Sequence, residues 1–394
     1  MRAYVHTAFL ILLFSAASSA APRARPGDPP SAASSDGASP RALAARLAFS
    51  PAAPALHRVL PTYVSVNIDK GSLYNNIDFT SRPLRALTAH LAAAAPTELR
   101  VGGGAADSTL FTGAGGARGN CSSLNITNID VCVSAESWDE LAAFAGATGV
   151  GLVFDLNGAM GRRSGADAWD PANAAALLAH AADAAGRGLA APVGWELGNE
   201  PEDWYKRRLN VSGARLAADF AALRGLLSAT RGLPPSRLLG PDGCCEGRYA
   251  LMAEFAAHAG GLLDGVTVHA YPLPYAPACS LPFYLDKAAM LGIVAAVEGW
   301  RALAAPLLAA GVPLIQGETA TSAHGGCPGL SNAFVAGFTY MLELGTLGEV
   351  RAARPPGACP PARPPARPRA HKPPPPPSPA HTPHLSSRSL ASPR

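Results

Sequence analysis

The sequence predicts an α/β fold: a parallel sheet rolled into a (β/α)8 TIM-type barrel, incomplete at strand eight, followed by a disordered Pro-rich tail. Three observations point there. Short apolar strands alternate with helical stretches over most of the chain. Seven such strands can be counted, one short of a closed barrel. Polar side chains gather at the C-terminal ends of five of them, as a barrel with one functional mouth requires. An open doubly wound sheet is the alternative. It is weakened because no Gly-X-Gly-X-X-Gly fingerprint follows a strand, and Gly102-Gly103-Gly104 lacks that spacing.

The elements follow in order. Residues 1–20 have the form of a secretory signal: Arg2, the apolar run Ala8 to Phe14, then Ser18-Ser19-Ala20 as a small-residue cleavage site. The apolar run is short for a membrane span, with a signal anchor as the alternative. No other stretch is long and apolar enough, so no integral membrane span is expected in the mature chain. Residues 21–55 are expected to be a mobile lead-in rich in Ala, Pro, Ser and Gly, and residues 56–353 the barrel domain. The strands are Tyr63 to Asp69, Glu98 to Val101, Gly151 to Asn157, Val193 to Leu197, Arg237 to Pro241, Gly265 to Tyr271 and Pro313 to Thr319. The helices are Arg82 to Ala94, Trp138 to Ala147, Ala172 to Ala185, Ala214 to Ala229, Arg248 to Ala257, a long one from Lys287 to Ala310, and Asn332 to Leu344.

Read with period two, one face of the strands ends in Asn67 and Asp69, Asp155 and Asn157, Glu196 and Glu200, His269 and Tyr271, Gln316 and Glu318. Two of these stand out. Trp195-Glu196-Leu197-Gly198-Asn199-Glu200-Pro201 and Leu314-Ile315-Gln316-Gly317-Glu318-Thr319 are apolar strands that each end in a glutamate. Two strand-end carboxylates distant in sequence are what glycoside hydrolysis needs: one protonates the leaving oxygen, the other attacks the sugar carbon.

Those two stretches, with Gly325-Gly326, resemble the heparanase family, glycoside hydrolase family 79. Leu99-Arg100-Val101-Gly102-Gly103 is similar to that family's second-strand motif, and Val266-Thr267-Val268-His269-Ala270-Tyr271 to its sixth strand. The resemblance runs from about Val59 to Glu349. It implies a retaining (β/α)8 glycosidase, with Glu200 as general acid/base and Glu318 as nucleophile. It further implies that Asn199 holds the sugar 2-hydroxyl, that Tyr271 hydrogen-bonds the nucleophile, and that Asp69, Gly325 and Gly326 contact sugar. His269 is expected among the substrate-binding residues, with a structural hydrogen-bonded pair with Tyr271 as the alternative, and Glu196 is expected to be structural.

The overall charge is only +4, which does not suggest nucleic acid as a partner. Local charge is more specific. Lys206-Arg207-Arg208 follows Glu200, and Arg162-Arg163 follows the third strand. Both clusters are expected on the rim of the mouth, where they would attract an anionic polysaccharide or a proteoglycan glycan chain. A uronic acid substrate, cleaved as a β-glucuronide, is therefore expected. Readings left open are a catalytically impaired glycan binder, or another enzyme of the clan such as an arabinofuranosidase or β-glucosidase. No cysteine or histidine spacing resembles a metal site, and no cofactor is expected.

Asn120, Asn125 and Asn210 stand in glycosylation sequons, and seven cysteines suit an oxidising, secretory compartment. Cys121 with Cys132 could close one loop, and Cys244, Cys245, Cys279 and Cys327 offer another bridge. Residues 354–394 contain no Asp or Glu and include the run Pro373–Pro377, which reads as a disordered, basic, Pro-rich tail. Family members continue here through an eighth strand and a small β-sandwich, for which this sequence offers no complete counterpart.

Overall fold

The computed structural model describes Val59, residues 61–244 and residues 249–350. The expected leader (1–20), lead-in (21–55) and tail (354–394) lie outside the described residues.

Ten strands occur among the described residues: β1 (Val66–Asp69), β2 (Glu98–Gly102), β3 (Thr109–Gly113), β4 (Gly119–Asn120), β5 (Val131–Ser134), β6 (Gly151–Leu156), β7 (Gly194–Leu197), β8 (Arg237–Gly243), β9 (Gly265–His269) and β10 (Leu314–Glu318). Seven form one parallel sheet, ordered β1-β2-β6-β7-β8-β9-β10. Chain order equals sheet order, so each helical crossover returns the chain to the next position, as in a TIM-type barrel. The sheet curls until its ends approach: Asn67 Nδ2 on β1 donates to the Gly317 carbonyl on β10 at 3.5 Å. No strand fills the seam between them among the described residues.

Side-chain parity explains the two layers. Leu99, Val101, Phe154, Trp195 and Leu197 point outward and are buried under helices, where Trp195 stacks on Trp138 at 5.8 Å. At the inward positions, space for side chains comes from glycine. A Cβ on Gly194 would lie 3.2 Å from Leu239 and 3.3 Å from Val153; one on Gly265 would lie 2.6 Å from Ile315. Val153, Leu239 and Ile315 therefore plug the lower barrel, and the charged residues stand above them.

Local signals set the helix ends. Ser134 caps the helix Ala135–Thr148 by accepting from the Ser137 amide at 3.2 Å, and Gly149 ends it with φ 77°. Ser212 caps Gly213–Ala229 in the same way. Helix Arg82–Ala94 matches its sequence boundaries.

Three expectations are corrected. The long helix from Lys287 to Ala310 is three pieces: Lys287–Met290, Gly292–Leu303 and Ala305–Ala309. Pro306 opens the last piece, since it has no N–H to continue the one before. The last helix is Ala336–Val350 rather than Asn332 to Leu344. A small sheet, β3-β5-β4, stands where no strands are expected; β4 is two residues long, and every residue of β5 is buried, so it shows no alternation. The disulfide Cys121–Cys132 braces it, and Cys279–Cys327 ties the loop after β9 to the loop after β10.

Candidate active site

The first carboxylate is placed by a strained turn. After β7 the chain passes through Gly198 at φ +78° and Glu200 at φ 48°, two left-handed residues within three. Only glycine fits at 198, because a Cβ there would lie 2.4 Å from the Trp204 ring. A left-handed glutamate costs about 1–3 kcal/mol, and such strain is concentrated at functional sites. It persists because the Glu200 amide donates to the Asp242 carbonyl at 3.1 Å. Pro201 then opens the 3-10 turn Pro201–Arg207.

The second carboxylate ends β10. Tyr271 Oη donates to Glu318 Oε2 at 2.7 Å, and Arg100 Nη1 to Glu318 Oε1 at 2.6 Å. Arg100 is buried on β2 and is the hub of the barrel interior. Its Nε meets Glu196 Oε2 at 2.6 Å, and its Nη2 meets Asp242 Oδ2 at 2.6 Å and Asn199 Oδ1 at 3.3 Å. One guanidinium thus joins side chains from β7, β8, β10 and the turn after β7. Each carboxylate takes one N–H of the guanidinium; charge makes these contacts strong, and their burial makes each one necessary.

His269, at the end of β9, is buried between carboxylates. Nδ1 lies 3.0 Å from Glu200 Oε1 and 3.8 Å from Glu318 Oε2, while Nε2 faces Asp242 Oδ1 at 3.6 Å. Burial by itself would drive the proton off. The charges of Glu318, Asp242 and Glu200 outweigh that and raise His269 to about 10, so the ring is an imidazolium at neutral pH. Burial opposes ionisation of Glu318 too, yet His269, Arg100 and the Tyr271 hydroxyl bring it down to about 2. Deeper in the barrel burial wins: Glu196 is pushed up to about 8 despite Arg100.

Glu200 and Glu318 offer oxygens within 4.8 Å of one another, with His269 between them. Asn199 stands beside Glu200 in the turn after β7: its backbone N–H donates to Asp107 Oδ2 at 3.2 Å and its backbone carbonyl accepts from Trp204 Nε1 at 3.0 Å. Glu200, His269 and Glu318, and below them Asp155, Glu196 and Asp242, are spaced as metal ligands could be. A cation of the protein already serves each set: the His269 imidazolium in the first and Arg100 in the second.

Other predicted residues fall at varied distances from this centre. Asp69 ends β1 at the mouth, its carboxylate packed over Gly103, where a Cβ would lie 2.1 Å from Oδ2. Gly325 and Gly326 both have φ +79° in the turn beside His324, whose ring meets Tyr275 at 4.4 Å. Arg163, Lys206 and Arg208 are exposed, and Arg207 reaches back to the carbonyls of Asp107 and Gly104 at 3.0 and 3.3 Å.

Arg162 is a correction. It does not reach the rim; its side chain is fully buried, paired to Asp219 at 2.5 Å and donating to the carbonyls of Gly158 and Asp167. His269 likewise is no sugar-facing group but a buried ring that acts on carboxylates. Sequence reasoning missed Arg100 and Asp242 as site residues. An arginine inside the apolar strand Glu98-Leu99-Arg100-Val101-Gly102 was the available signal. Asp242 was hidden in Gly240-Pro241-Asp242-Gly243, which reads as a turn but continues β8.

A parallel barrel whose mouth holds two glutamates at this spacing, in unlike surroundings, is a glycosidase framework. The chain belongs to glycosyl hydrolase family 79, whose N-terminal domain model matches residues 62–345. It is 33% identical to heparanase of Gallus gallus over 225 residues, 54% of this chain and 40% of that protein. It is 28% identical to inactive heparanase-2 of Homo sapiens over 228 residues, 56% of this chain and 36% of that one. Hyaluronoglucuronidase of Hirudo nipponia is 25% identical over 217 residues, 53% of this chain and 42% of its own length. The chain thus spans about two fifths of these relatives. In fold it is similar to a 4-O-α-L-rhamnosyl-β-D-glucuronidase from Fusarium oxysporum: TM-score 0.53, 18% identity, 76% of this chain and 64% of that one. No described helix is long and apolar enough to cross a membrane.

Proposed function

We propose that the chain is a retaining glycoside hydrolase that cleaves β-glucuronides in uronic-acid-containing glycans. One observation carries this: the carboxyl oxygens of Glu200 and Glu318 lie within 4.8 Å. Retaining enzymes hold their two carboxyl groups roughly 5–5.5 Å apart, whereas inverting ones leave room for a water at roughly 6.5–9.5 Å.

The surroundings divide the roles. Glu318, held ionised at about 2, is the nucleophile. Its carboxylate oxygen attacks the anomeric carbon as the glycosidic bond breaks, and Glu200 delivers a proton to the departing oxygen. Water then attacks the same carbon, gives its proton to Glu200 and releases Glu318. Asn199 holds the sugar 2-hydroxyl; its Oδ1 is bound by Arg100, which leaves the amide Nδ2 without a protein acceptor among the described residues. Tyr271 steadies the nucleophile. Asp69, Gly325 and Gly326 contact sugar hydroxyls at the mouth. Exposed Arg163, Lys206 and Arg208, with Arg207, favour an anionic glycan chain. The two disulfides and the exposed sequon residues Asn120, Asn125 and Asn210 support a secreted glycoprotein.

A second reading, a glycan binder with an impaired site, is favoured by the seam, because β10 carries Glu318 and is only half-buried along its length. Purified protein tested on aryl β-glucuronide, β-glucoside and α-arabinofuranoside separates these readings. Glucuronide hydrolysis whose first product has the β configuration by NMR is expected. Faster cleavage of a neutral glycoside, or an α first product, would sink the proposal. Binding without turnover would favour the second reading.

A further inference from the structure

The ring of His269 is faced by three carboxylates: Glu200 from the turn after β7, Asp242 from β8 and Glu318 from β10. Arg100 from β2 holds Asp242 in turn, and Tyr271 holds Glu318. Glu202 lies nearby, its carboxyl raised to about 7 by burial. Only one of the ring's contacts with these groups is a hydrogen bond: Nδ1 to Glu200 Oε1 at 3.0 Å. The 3.8 Å approach to Glu318 Oε2 is too long, and that oxygen is already taken by Tyr271. Nε2 and Asp242 Oδ1 face each other at 3.6 Å as an ion pair, and both lie against Gly317. A Cβ on Gly317 would sit 3.3 Å from each, so the backbone beneath the nucleophile closes the floor on which the ring rests. The ring cannot turn without leaving a buried charge unpaired.

A carboxyl oxygen that accepts an imidazolium N–H is a poor place for a proton, because two hydrogens would then face each other. We infer that His269 is a positioning residue that grips Glu200 by Oε1, so that the proton delivered to the leaving group resides on Oε2. This rests on the hydrolase reading above. In the first step, the C–O bond to the leaving group breaks, its electron pair stays on the glycosidic oxygen, and that oxygen takes the Oε2 proton. In the second, a water proton returns to Oε2. His269 keeps its own proton throughout.

Two amide substitutions separate this role from a structural one. His269→Asn would place an amide N–H where Nδ1 stands, and His269→Gln would place it where Nε2 stands. With His269→Gln, phenyl β-glucuronide, whose leaving group needs the proton, is expected to lose about 100-fold in kcat/KM, which reports the first step alone. The 2,4-dinitrophenolate of the activated glucuronide leaves without protonation, and kcat/KM on that substrate is expected to lose less than about fivefold. His269→Asn should recover most of the phenyl rate. Equal losses on both substrates, or no recovery with His269→Asn, would overturn the inference. A measurement without turnover accompanies it: the His269 Nδ1–H proton resonance of the full chain should lie downfield and move in Glu200→Ala. A resonance indifferent to Glu200→Ala refutes the contact. An inactive wild type with the resonance intact counts instead against the hydrolase reading, and the two failures are thereby distinguished.

Discussion

The barrel has a closed arc and an open seam. Along the arc, β2, β6, β7, β8 and β9 are buried at nearly every position. At the seam, β1 alternates between half-buried and exposed, and no residue of β10 is fully buried. Beside it, Phe334, Phe338 and Met341 are 80%, 52% and 65% exposed. The two glutamates fall on opposite sides of this divide. Glu200 hangs from the arc and is set by backbone: a left-handed turn and an amide bond to β8. Glu318 hangs from the seam and is set by side chains, Arg100 and Tyr271, that reach it from the arc. A strand with no neighbour on one side among the described residues can hold the proposed nucleophile in place provided that buried neighbours tether it.

The largest effect should come from cutting the main tether. Arg100→Met leaves Glu196, Asp242 and Glu318 without their shared cation, and breaking a buried pair costs about 3–5 kcal/mol. Denaturant unfolding should show that loss together with abolished activity. An unchanged midpoint would break the comparison, because Glu318 would then be held by its strand.

Next comes the lighter tether. Tyr271→Phe removes one hydrogen bond to a charged acceptor, about 1.5–3 kcal/mol, or roughly 10- to 100-fold in kcat. Its melting temperature should fall by only a few degrees, less than for Arg100→Met. A loss of stability with unchanged kcat would contradict the tether.

Stability against pH sharpens the picture. Folding raises His269 from 6.5 to about 10, so its contribution is complete below pH 6.5 and is lost as pH rises towards 10. Glu343, on the last helix against the seam, is raised by burial to about 8 despite the Thr319 hydroxyl, and also loses stability as pH rises above its usual range. Glu318 is lowered to about 2, so its contribution is present above pH 4.5 and is lost only as pH falls. These signs place the greatest stability on the mildly acidic side. Melting temperature should fall between pH 5 and 8, and Glu343→Gln should flatten the fall. A rise over that range would show that other groups dominate.

The smallest effects belong to the rim. Lys206→Ala with Arg208→Ala should raise KM for an anionic glycan a few-fold at low salt, and the difference should vanish at high salt. Arg162→Ala, by contrast, leaves Asp219 unpaired in the interior and should lower the melting temperature with little change in salt dependence. Equal behaviour of the two variants would place Arg162 on the rim after all.

Much of this was legible in sequence because its signals are local. Period two placed the seven barrel strands and turned Glu196 inward, whereas Glu200 and Glu318 reach the same centre through the left-handed turn after β7 and a register shift in β10. Periodicity placed the helix Arg82–Ala94 at its observed bounds, but started the helix Ala135–Thr148 three residues late, at Trp138. What was not legible depends on long-range encounters. Arg100 meets partners 96 to 218 residues away, so its place inside an apolar strand marks it as unusual but does not say which carboxylates it joins. Asp242 sits in a Pro-Asp-Gly run with φ 57°, a turn signature that the barrel uses inside a strand. Arg162 and Arg163 are adjacent and alike in sequence, yet one is fully buried and the other 91% exposed. Only packing against Asp219 and Trp204 separates them.

The most direct test of the account is labelling with a glucuronic-acid-configured mechanism-based inactivator, followed by peptide mass spectrometry. The account predicts a single adduct on Glu318, absent from Glu318→Gln, which would mean that a nucleophile on the open seam is held in reacting position. No adduct on protein that still melts cooperatively, or an adduct on another carboxylate, would contradict it.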